Sequence, residues 1–171
     1  MHNLIASEYH PYYDRYIKLV PEGNILNILE YQIVTLLEIF NTLNDEKALY
    51  RYAENKWSIK ELLGHLIDTE RMFLYRALCI CRNDKTDLPG FDQNSYVQNA
   101  NFDDQLLKNL LEQFEITRTG LLKLYKSLPP VKWSTTGTAN GKKLSVGAIA
   151  FIMAGHVYHN LGILKEHYLK N

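Results

Sequence analysis

The spacing of apolar residues constrains the fold of this chain more than any other feature. Four stretches place apolar side chains alternately three and four positions apart, the spacing of helices that pack around a common core. The inward positions are Leu26, Leu29, Ile33, Leu36, Phe40 and Leu43 in the first stretch and Leu107, Leu110, Phe114, Thr117, Leu121, Leu124 and Leu128 in the third. No stretch shows the strict alternation of a strand, so the pattern predicts an all-α fold.

Residues that favour helix ends stand at the boundaries of these stretches. Asn24 is a good N-cap for the first helix, and Ser58 with Glu61 has the spacing of a capping box at the start of the second. Ser145 is placed to cap the fourth helix, which we expect to run to about Leu169. These signals favour four separate helices that pack as a bundle.

The segments between the helices predict how the bundle is connected. The third helix is expected to begin near residues 101–103, which leaves a long, turn-rich connection after the second helix. Residues 137–143 contain two glycines and are interpreted as a loop. We therefore expect an up-down four-helix bundle with a long crossover loop and an N-terminal extension over residues 1–20, all within a single domain of residues 1–171.

The charge balance and the cysteines exclude several classes of partner. Nineteen Lys and Arg residues balance nineteen Asp and Glu residues, so no global field favours nucleic acid or an anionic membrane. No segment approaches the roughly 20 apolar residues of a membrane span, and the first residues lack a signal-peptide pattern. Cys79 and Cys81 point to opposite sides of a helix, so we expect no disulfide between them. A reducing cytoplasm is the expected location.

Two of the helices carry histidine where the hydrophobic pattern expects a core residue. His65 lies at the edge of the apolar arc of the second helix. Continuing the spacing through the fourth helix places His156 and Asn160 on its inward side, one turn apart, with His159 about 60° from His156 around the axis. Neutral imidazole is the commonest metal ligand in proteins, and facing helices of a bundle often build metal sites.

Two interpretations of these polar residues remain open from the pattern alone. A single histidine on an apolar helix face is most often a core residue with one hydrogen-bond partner. Several polar groups that face one core, however, are costly unless they satisfy one another or bind a ligand. The pattern supports a buried polar cluster and a metal or ligand site about equally.

Three segments of the chain resemble a known family. Residues 57–71, which read WSIKELLGHLIDTER, are similar to the second helix of the DinB/YfiT-like superfamily of bacterial four-helix-bundle proteins. Residues 89–97 are similar to the loop that follows that helix, and residues 154–169 are similar to the last helix. The resemblance extends from about Tyr9 to the C-terminus, and it is the combination of segments that makes it specific.

The resemblance implies a divalent metal ion, nickel or zinc, held by three histidines. One comes from the second helix and two lie four residues apart on the last helix, and His65 and His156 match two of these positions. Asn160 stands at the third position, next to His159, and an amide oxygen is a weak ligand for these metals compared with imidazole. Three outcomes remain open: His159 turns inward to complete the set, water completes it, or the site holds no metal.

The resemblance also implies an activity. Characterised relatives indicate transfer of low-molecular-weight thiols onto electrophiles, or metal-dependent hydrolysis, in which the metal lowers the pKa of a bound thiol or water. The small-molecule partners would then be a thiol and an electrophile, and the role would be detoxification or stress response. Asp68 or Asp92 would orient a ligand imidazole or act as a base, and no catalytic residue is assigned beyond these candidates.

Two hypotheses of function follow from the sequence. The first is a metal-dependent thiol S-transferase or hydrolase, which rests on His65, His156 and the family resemblance. The second is a non-catalytic bundle that binds a small molecule or a second copy of itself after losing the third ligand, which rests on Asn160. The resemblance also favours a homodimer, because members of the family often form dimers. The twelve tyrosines point the same way, since they are more than one small core readily buries.

Overall fold

Four long helices form the body of the protein, whose computed structural model describes residues 4–169. In chain order the elements are α1 (Asp14–Ile17), α2 (Ile25–Phe40), α3 (Ile59–Cys81), β1 (Asp87–Leu88), α4 (Gln93–Ala100), α5 (Leu107–Ser127), β2 (Thr136–Ala139), β3 (Lys142–Ser145) and α6 (Val146–Ile163). A π-helical turn, Leu164–Tyr168, extends α6. The helices predicted from the apolar spacing are α2, α3, α5 and α6.

The predicted N-caps of three helices are confirmed. The side chain of Asn24 accepts hydrogen bonds from two backbone N–H groups in the first turn of α2. Ser58 and Glu61 form the complete capping box at the start of α3, and Ser145 caps α6. The α5 helix begins at Leu107, later than predicted, because a separate 3₁₀ turn precedes it.

The order of the long helices around the bundle differs from their order in the chain. Both α2 and α3 pack against α5 and α6. Contacts between helices fix their directions. The α3 and α5 helices are parallel, because Lys60 contacts Gln105 and Glu70 contacts Arg118. The α2 and α5 helices are antiparallel (Glu30 with Lys126, Asp45 with Leu107), as are α3 and α6 (Trp57 with Tyr168, His65 with His156). The helices therefore run up, down, down and up, and the predicted up-down order is wrong for the second pair. The connection between α3 and α5 is the long crossover that the sequence predicts.

A small three-stranded sheet lies at the end of the bundle where α6 starts. The strands β2 and β3 form an antiparallel hairpin, and β1 pairs with β2 in parallel. The hairpin turn is Asn140-Gly141, with φ of 52° and 67°, and two-residue hairpin turns need such positive values. The fold is therefore mostly helical, as predicted, but the sheet means that it is not purely all-α. The interpretation of residues 137–143 as a loop is wrong, because they form most of the hairpin.

The N-terminal extension packs on the bundle and on the sheet. Its first three residues lie outside the described part of the chain. The backbone N–H of His10 donates to the carbonyl of Lys143 at 2.9 Å, and α1 lies against α6. The extension thus packs against α6, with Tyr16 of α1 beside His156 and His159.

A buried ion pair crosses the centre of the bundle. Arg118 of α5 donates two hydrogen bonds to the carboxylate of Glu70 on α3, at 2.6 and 2.7 Å. It also donates to the carbonyl of Leu29 and to Oε1 of Gln32 on α2, at 3.1 and 3.0 Å. Gln32 in turn donates to the carbonyl of Ala154 on α6 at 2.9 Å. One polar network therefore joins all four long helices.

The apolar spacing does not predict this network. It places Thr117 on the inward side of α5, whereas Thr117 is half-buried and Arg118 is fully buried. The pattern assigns charged side chains to the surface, so a paired charge in the core escapes it. Two apolar clusters flank the network, one toward the sheet and one toward the start of α3.

The last helix occupies the core of the bundle. The stretch Val146–Tyr168 is long and apolar enough to cross a membrane by length and composition alone, so the expectation that no segment approaches a membrane span is wrong. In the structure 72% of an apolar 18-residue window within this stretch is buried inside the protein. That burial is typical of a core helix in a bundle.

Candidate metal centre

His65 of α3 and His156 of α6 meet in the core. Their Nε2 atoms lie 3.1 Å apart, and His65 is only 4% exposed and His156 only 8%. The ring of Trp57 lies 4.8 Å from the ring of His65, and the ring of Tyr16 lies 5.4 Å from the ring of His156. Aromatic side chains therefore shield both imidazoles.

A glycine precedes each histidine and admits a neighbouring segment. A Cβ atom at Gly64 would overlap the ring of Phe102, and a Cβ atom at Gly155 would overlap the backbone carbonyl of Tyr16. Gly155 thus allows α1 to lie directly on α6, which places the Tyr16 ring against His156. The two Gly-His pairs bring other parts of the chain close to the imidazoles.

Asn160, one turn after His156, presents a hydrogen-bond donor to it. The Nδ2 atom of Asn160 donates to the backbone carbonyl of His156 at 2.8 Å and lies 3.2 Å from His156 Nε2. The hydrogen bond to the carbonyl assigns the orientation of the amide, because a turned amide would bring two oxygen atoms together. The nitrogen of Asn160, and not the oxygen that would bind a metal, therefore faces the imidazole.

His159 does not join this group. Its side chain is exposed, and its ring packs edge-on against Tyr16 with 5.7 Å between centroids. Within residues 4–169 no group of three or more His, Cys, Asp or Glu side chains could hold a metal ion. The structure therefore brings His65, His156 and Asn160 together and leaves His159 outside.

Burial keeps both imidazoles neutral. Desolvation lowers the pKa of His65 to about 4. It also lowers the pKa of His156 well below its usual value of 6.5, and the neighbouring His65 adds to this effect. A neutral imidazole has a lone pair on one ring nitrogen, which a metal ion or a hydrogen-bond donor can use.

The two imidazoles fit a divalent cation. Two nitrogens bound to one zinc ion at about 2.0–2.1 Å in tetrahedral geometry lie about 3.3 Å apart, close to the observed separation of 3.1 Å. A cation held by both Nε2 atoms would thus require little movement of either helix. The third protein ligand that catalytic zinc sites usually have is absent from the described residues. If a cation were bound, solvent or a substrate would have to provide its other ligands.

A cavity of about 480 Å³ opens beside the histidine pair, and both histidines line it. Its aromatic walls come from the N-terminal extension, from α3 and from the loop before α4, with Tyr12, Tyr13, Phe73 and Phe91 among them. Cavities of this size hold small organic ligands in other proteins. The histidines therefore lie where a small molecule can reach them.

Thr69 and Arg76, which are not among the predicted site residues, also line this cavity. They are 4% and 5% exposed. Within residues 4–169 the hydroxyl of Thr69 and the Nε atom of Arg76 have no hydrogen-bond partner. Both residues lie on the same side of α3 as His65, one turn and three turns further on. That spacing is the sequence signal that points to them.

The two aspartates considered as bases have other contacts. Asp68 forms an ion pair with Arg71 at 3.2 Å, and burial raises the pKa of Asp68. Asp92 lines the cavity but acts as the N-cap of α4, where its carboxylate accepts hydrogen bonds from two backbone N–H groups. Within the described residues neither carboxylate bonds to His65 or His156.

A comparison with known sequences decides the family. A profile of the DinB superfamily matches residues 28–164, which include α3 and all of α6. The chain belongs to the DinB superfamily. The resemblance seen in the sequence is therefore confirmed, and the matched range contains His65, His156 and Asn160.

Two known proteins show what this chain is similar to. A protein of Oceanobacillus iheyensis, named "putative metal-dependent hydrolase", is 30% identical over 59 residues, which are 34% of this chain and 34% of that protein. The match thus spans about a third of the length of this curated relative. YfiT from Bacillus subtilis, described as "a probable metal-dependent hydrolase with an unusual four-helix bundle topology", superposes with a TM-score of 0.74. The alignment covers 90% of this chain and 95% of YfiT at 11% identity, so it establishes a shared fold.

Proposed function

We propose that this DinB protein is a metal-dependent enzyme in which His65 and His156 hold a divalent cation, nickel or zinc, at the inner wall of the cavity. The observation that carries the proposal is the 3.1 Å separation of two buried Nε2 atoms beside an open cavity. Two neutral imidazoles on separate helices leave the other coordination positions facing that cavity. The relative from Oceanobacillus iheyensis, named as metal-dependent, supports the same assignment.

The residues around the histidines prepare the site for chemistry. Burial keeps His65 and His156 unprotonated at neutral pH, so their lone pairs are available as ligands. The rings of Trp57 and Tyr16 pack against the imidazoles of His65 and His156 and limit their contact with water. When bound, a divalent cation supplies Lewis-acid chemistry, since it lowers the pKa of a coordinated water or thiol.

Two reaction types are compatible with this site. Hydrolysis uses water as the nucleophile and agrees with the names of both relatives. Transfer of a low-molecular-weight thiol onto an electrophile, in detoxification or stress response, is the activity that the family resemblance implies. The cavity of about 480 Å³ has room for either kind of substrate. We propose hydrolysis first, because it is the activity named for the relatives that match this chain.

A second candidate function rests on Asn160. Its Nδ2 lies 3.2 Å from His156 Nε2, so in the described arrangement the amide and His65 both compete for the lone pair that a metal would use. A bundle in which these three side chains satisfy one another needs no metal. The alternative is therefore a non-catalytic protein that binds a small molecule in the same cavity.

An activity assay with defined metal content separates these functions. The full chain is treated with a chelator, dialysed, and given one equivalent of nickel or zinc. Hydrolysis of a p-nitrophenyl ester and conjugation of cysteine to a chlorobimane are then measured with and without metal. We expect a metal-dependent rate in at least one assay, which assigns the reaction type.

Two variants control this assay. His65→Ala should lose the metal-dependent rate, whereas His159→Ala, which removes an exposed histidine from the same helix as His156, should retain it. If neither assay shows a metal-dependent rate and the protein binds no metal, the non-catalytic alternative stands and the enzyme proposal is wrong.

A further inference from the structure

The base of the cavity contains two buried polar groups that no other part of the described chain satisfies. The guanidinium of Arg76 donates through Nη2 to the carbonyl of Pro89 at 2.8 Å, whereas its Nε has no partner. The hydroxyl of Thr69, which also lines the cavity, has no partner either. Unsatisfied buried polar atoms are rare in folded proteins, and they often mark a place where a ligand supplies the missing bond.

The positive charge of Arg76 is also uncompensated. Within residues 4–169 no carboxylate forms an ion pair with it, and its guanidinium carbon lies 4.9 Å from the centroid of the neutral Phe73 ring. Burial of this cation lowers the pKa of Arg76. Buried charges in proteins are normally paired. Arg76 therefore has a buried positive charge without the neighbouring anion that usually accompanies one.

The mouth of the cavity carries the same sign of charge. Arg15 and Lys142 line it and lie over the ring of Tyr12, at 4.2 and 5.0 Å from its centroid. Asp92 is the one carboxylate among the described residues of the lining, and two backbone N–H groups of α4 already neutralise it in part. An entering anion therefore meets positive charge both at the mouth and at Arg76.

We propose that the cavity binds a molecule with an oxyanion group, a carboxylate or a phosphate, which the guanidinium of Arg76 and the hydroxyl of Thr69 hold. A guanidinium group is the side chain best suited to oxyanions, because its planar N–H groups match their geometry. The surrounding Tyr13, Phe73 and Phe91 rings favour an aromatic or flat apolar body next to that group.

This inference rests on the proposed function for its meaning, since the same cavity contains His65 and His156. Arg76 lies three turns beyond His65 on α3, about 16 Å along the helix axis at 1.5 Å per residue. A substrate that reaches both ends must therefore have several bonds between its oxyanion and its reacting group. The oxyanion subsite would bind one end of the substrate and the histidine centre would act on the other.

The test uses small aromatic probes and the full chain after removal of metal by a chelator. Calorimetric titrations compare 3-phenylpropionate with its uncharged amide, which has the same shape. We expect the wild type to bind the carboxylate at least about tenfold more tightly than the amide, as expected for a hydrogen bond to a charged group. A parallel titration with phenyl phosphate shows which oxyanion binds more tightly, and in either case binding should require Arg76.

Matched variants identify the residues responsible. Arg76→Met should abolish the preference for the carboxylate, whereas Arg71→Met, which removes an exposed arginine from the same helix, should leave it unchanged. Thr69→Val should weaken carboxylate binding several-fold with a Tm that is unchanged or higher, because it removes a hydroxyl that has no partner in the free protein. A role in folding alone would instead lower the Tm and leave binding unchanged.

The outcomes separate this inference from the proposed function. If the wild type binds the carboxylate and the amide equally, or if Arg71→Met weakens binding as much as Arg76→Met, the oxyanion subsite is wrong. Because these titrations contain no metal, their result does not depend on a metal bound by His65 and His156. Failure of metal binding with an intact carboxylate preference would overturn the metal centre and leave the subsite in place.

Discussion

Arg118 and Glu70 form an ion pair without solvent exposure at the point where the four long helices meet. The side chain of Arg118 is 0% exposed and that of Glu70 is 2% exposed, and the two groups share two hydrogen bonds. The remaining donors of Arg118 reach the carbonyl of Leu29 and the amide of Gln32 on α2. Because Gln32 also donates to the carbonyl of Ala154 on α6, this network links the two helices that carry His65 and His156.

Removal of one partner from this pair should destabilise the protein strongly. We expect Arg118→Met to lower the free energy of unfolding by about 3–5 kcal/mol, because it leaves the Glu70 carboxylate buried without a counterion. The double variant Arg118→Met, Glu70→Leu should be less destabilised than the Arg118→Met single variant. Urea denaturation of the wild type, of both single variants and of the double variant measures these unfolding free energies. A double variant as unstable as the sum of the two single variants would show that the charges do not depend on each other.

A surface pair on the same helix is the matched control. Arg71 lies 3.2 Å from Asp68, and the Arg71 side chain is 48% exposed. Such pairs contribute about 0–1 kcal/mol, so Arg71→Met should change the unfolding free energy by no more than that. A larger loss would mean that Arg71 has a role in the fold beyond this ion pair.

Gly155 should tolerate no side chain. A Cβ atom there would overlap the backbone of Tyr16, so we expect Gly155→Ala to push α1 away from α6 and to cost about 1–3 kcal/mol, as other overpacked cores do. Gly162→Ala on the same helix is the control, because no atom lies within 4 Å of a Cβ at that position. It should stabilise the protein by about 0.5–1 kcal/mol. Thermal unfolding of both variants measures the difference, and equal effects would refute the close approach of α1.

The metal-free protein should lose stability as the pH falls from about 6.5 toward 4. The folded-state pKa of His65 is lowered to about 4, so in this range the unfolded chain takes up a proton that the folded chain does not. For His65 alone the loss approaches about 3 kcal/mol at the acidic end, and His156 acts in the same direction. Urea denaturation at several pH values measures it. His65→Gln should flatten the curve in this range, and a wild-type curve that is already flat would contradict the burial of the imidazoles.

The parts of the fold that depend on local signals are the parts that the sequence predicts. The caps at Asn24, Ser58 and Ser145 act within a few residues of their own position, and all three are present. The hairpin over Asn140-Gly141 is an exception: Asn-Gly is a strong local turn signal, but the prediction for this segment is a loop. The parallel pairing of β1 with β2 joins segments about fifty residues apart, and no local pattern encodes it.

Some residues of the candidate site can likewise be predicted from the sequence, and others cannot. His65 and His156 stand out because an imidazole interrupts an apolar pattern, and the structure brings them together. Arg76 and Thr69 share the helix face of His65, but only the cavity formed with other elements shows that they are buried with unpartnered polar atoms. The inward position of Arg118 is hidden for a related reason, because its partner Glu70 lies on another helix.

The third ligand position is open to a direct gain-of-function test. Asn160→His should tighten binding of nickel or zinc, because it places an imidazole one turn from His156 in the position where the amide now lies 3.2 Å from His156 Nε2. His159→Ala should bind metal as the wild type does, since His159 is exposed and packs against Tyr16. If Asn160→His has no effect while His159→Ala abolishes binding, then His159 is the third ligand.

Calorimetric titration of the chelator-treated, untagged chain with nickel or zinc tests the central claim most directly. We expect the wild type to bind one ion per chain. His65→Ala and His156→Ala should each lose binding while circular dichroism shows an intact helical fold. Less than a tenth of an equivalent of metal bound to the wild type, or binding that survives both substitutions, would contradict the metal centre and leave these two residues as core histidines.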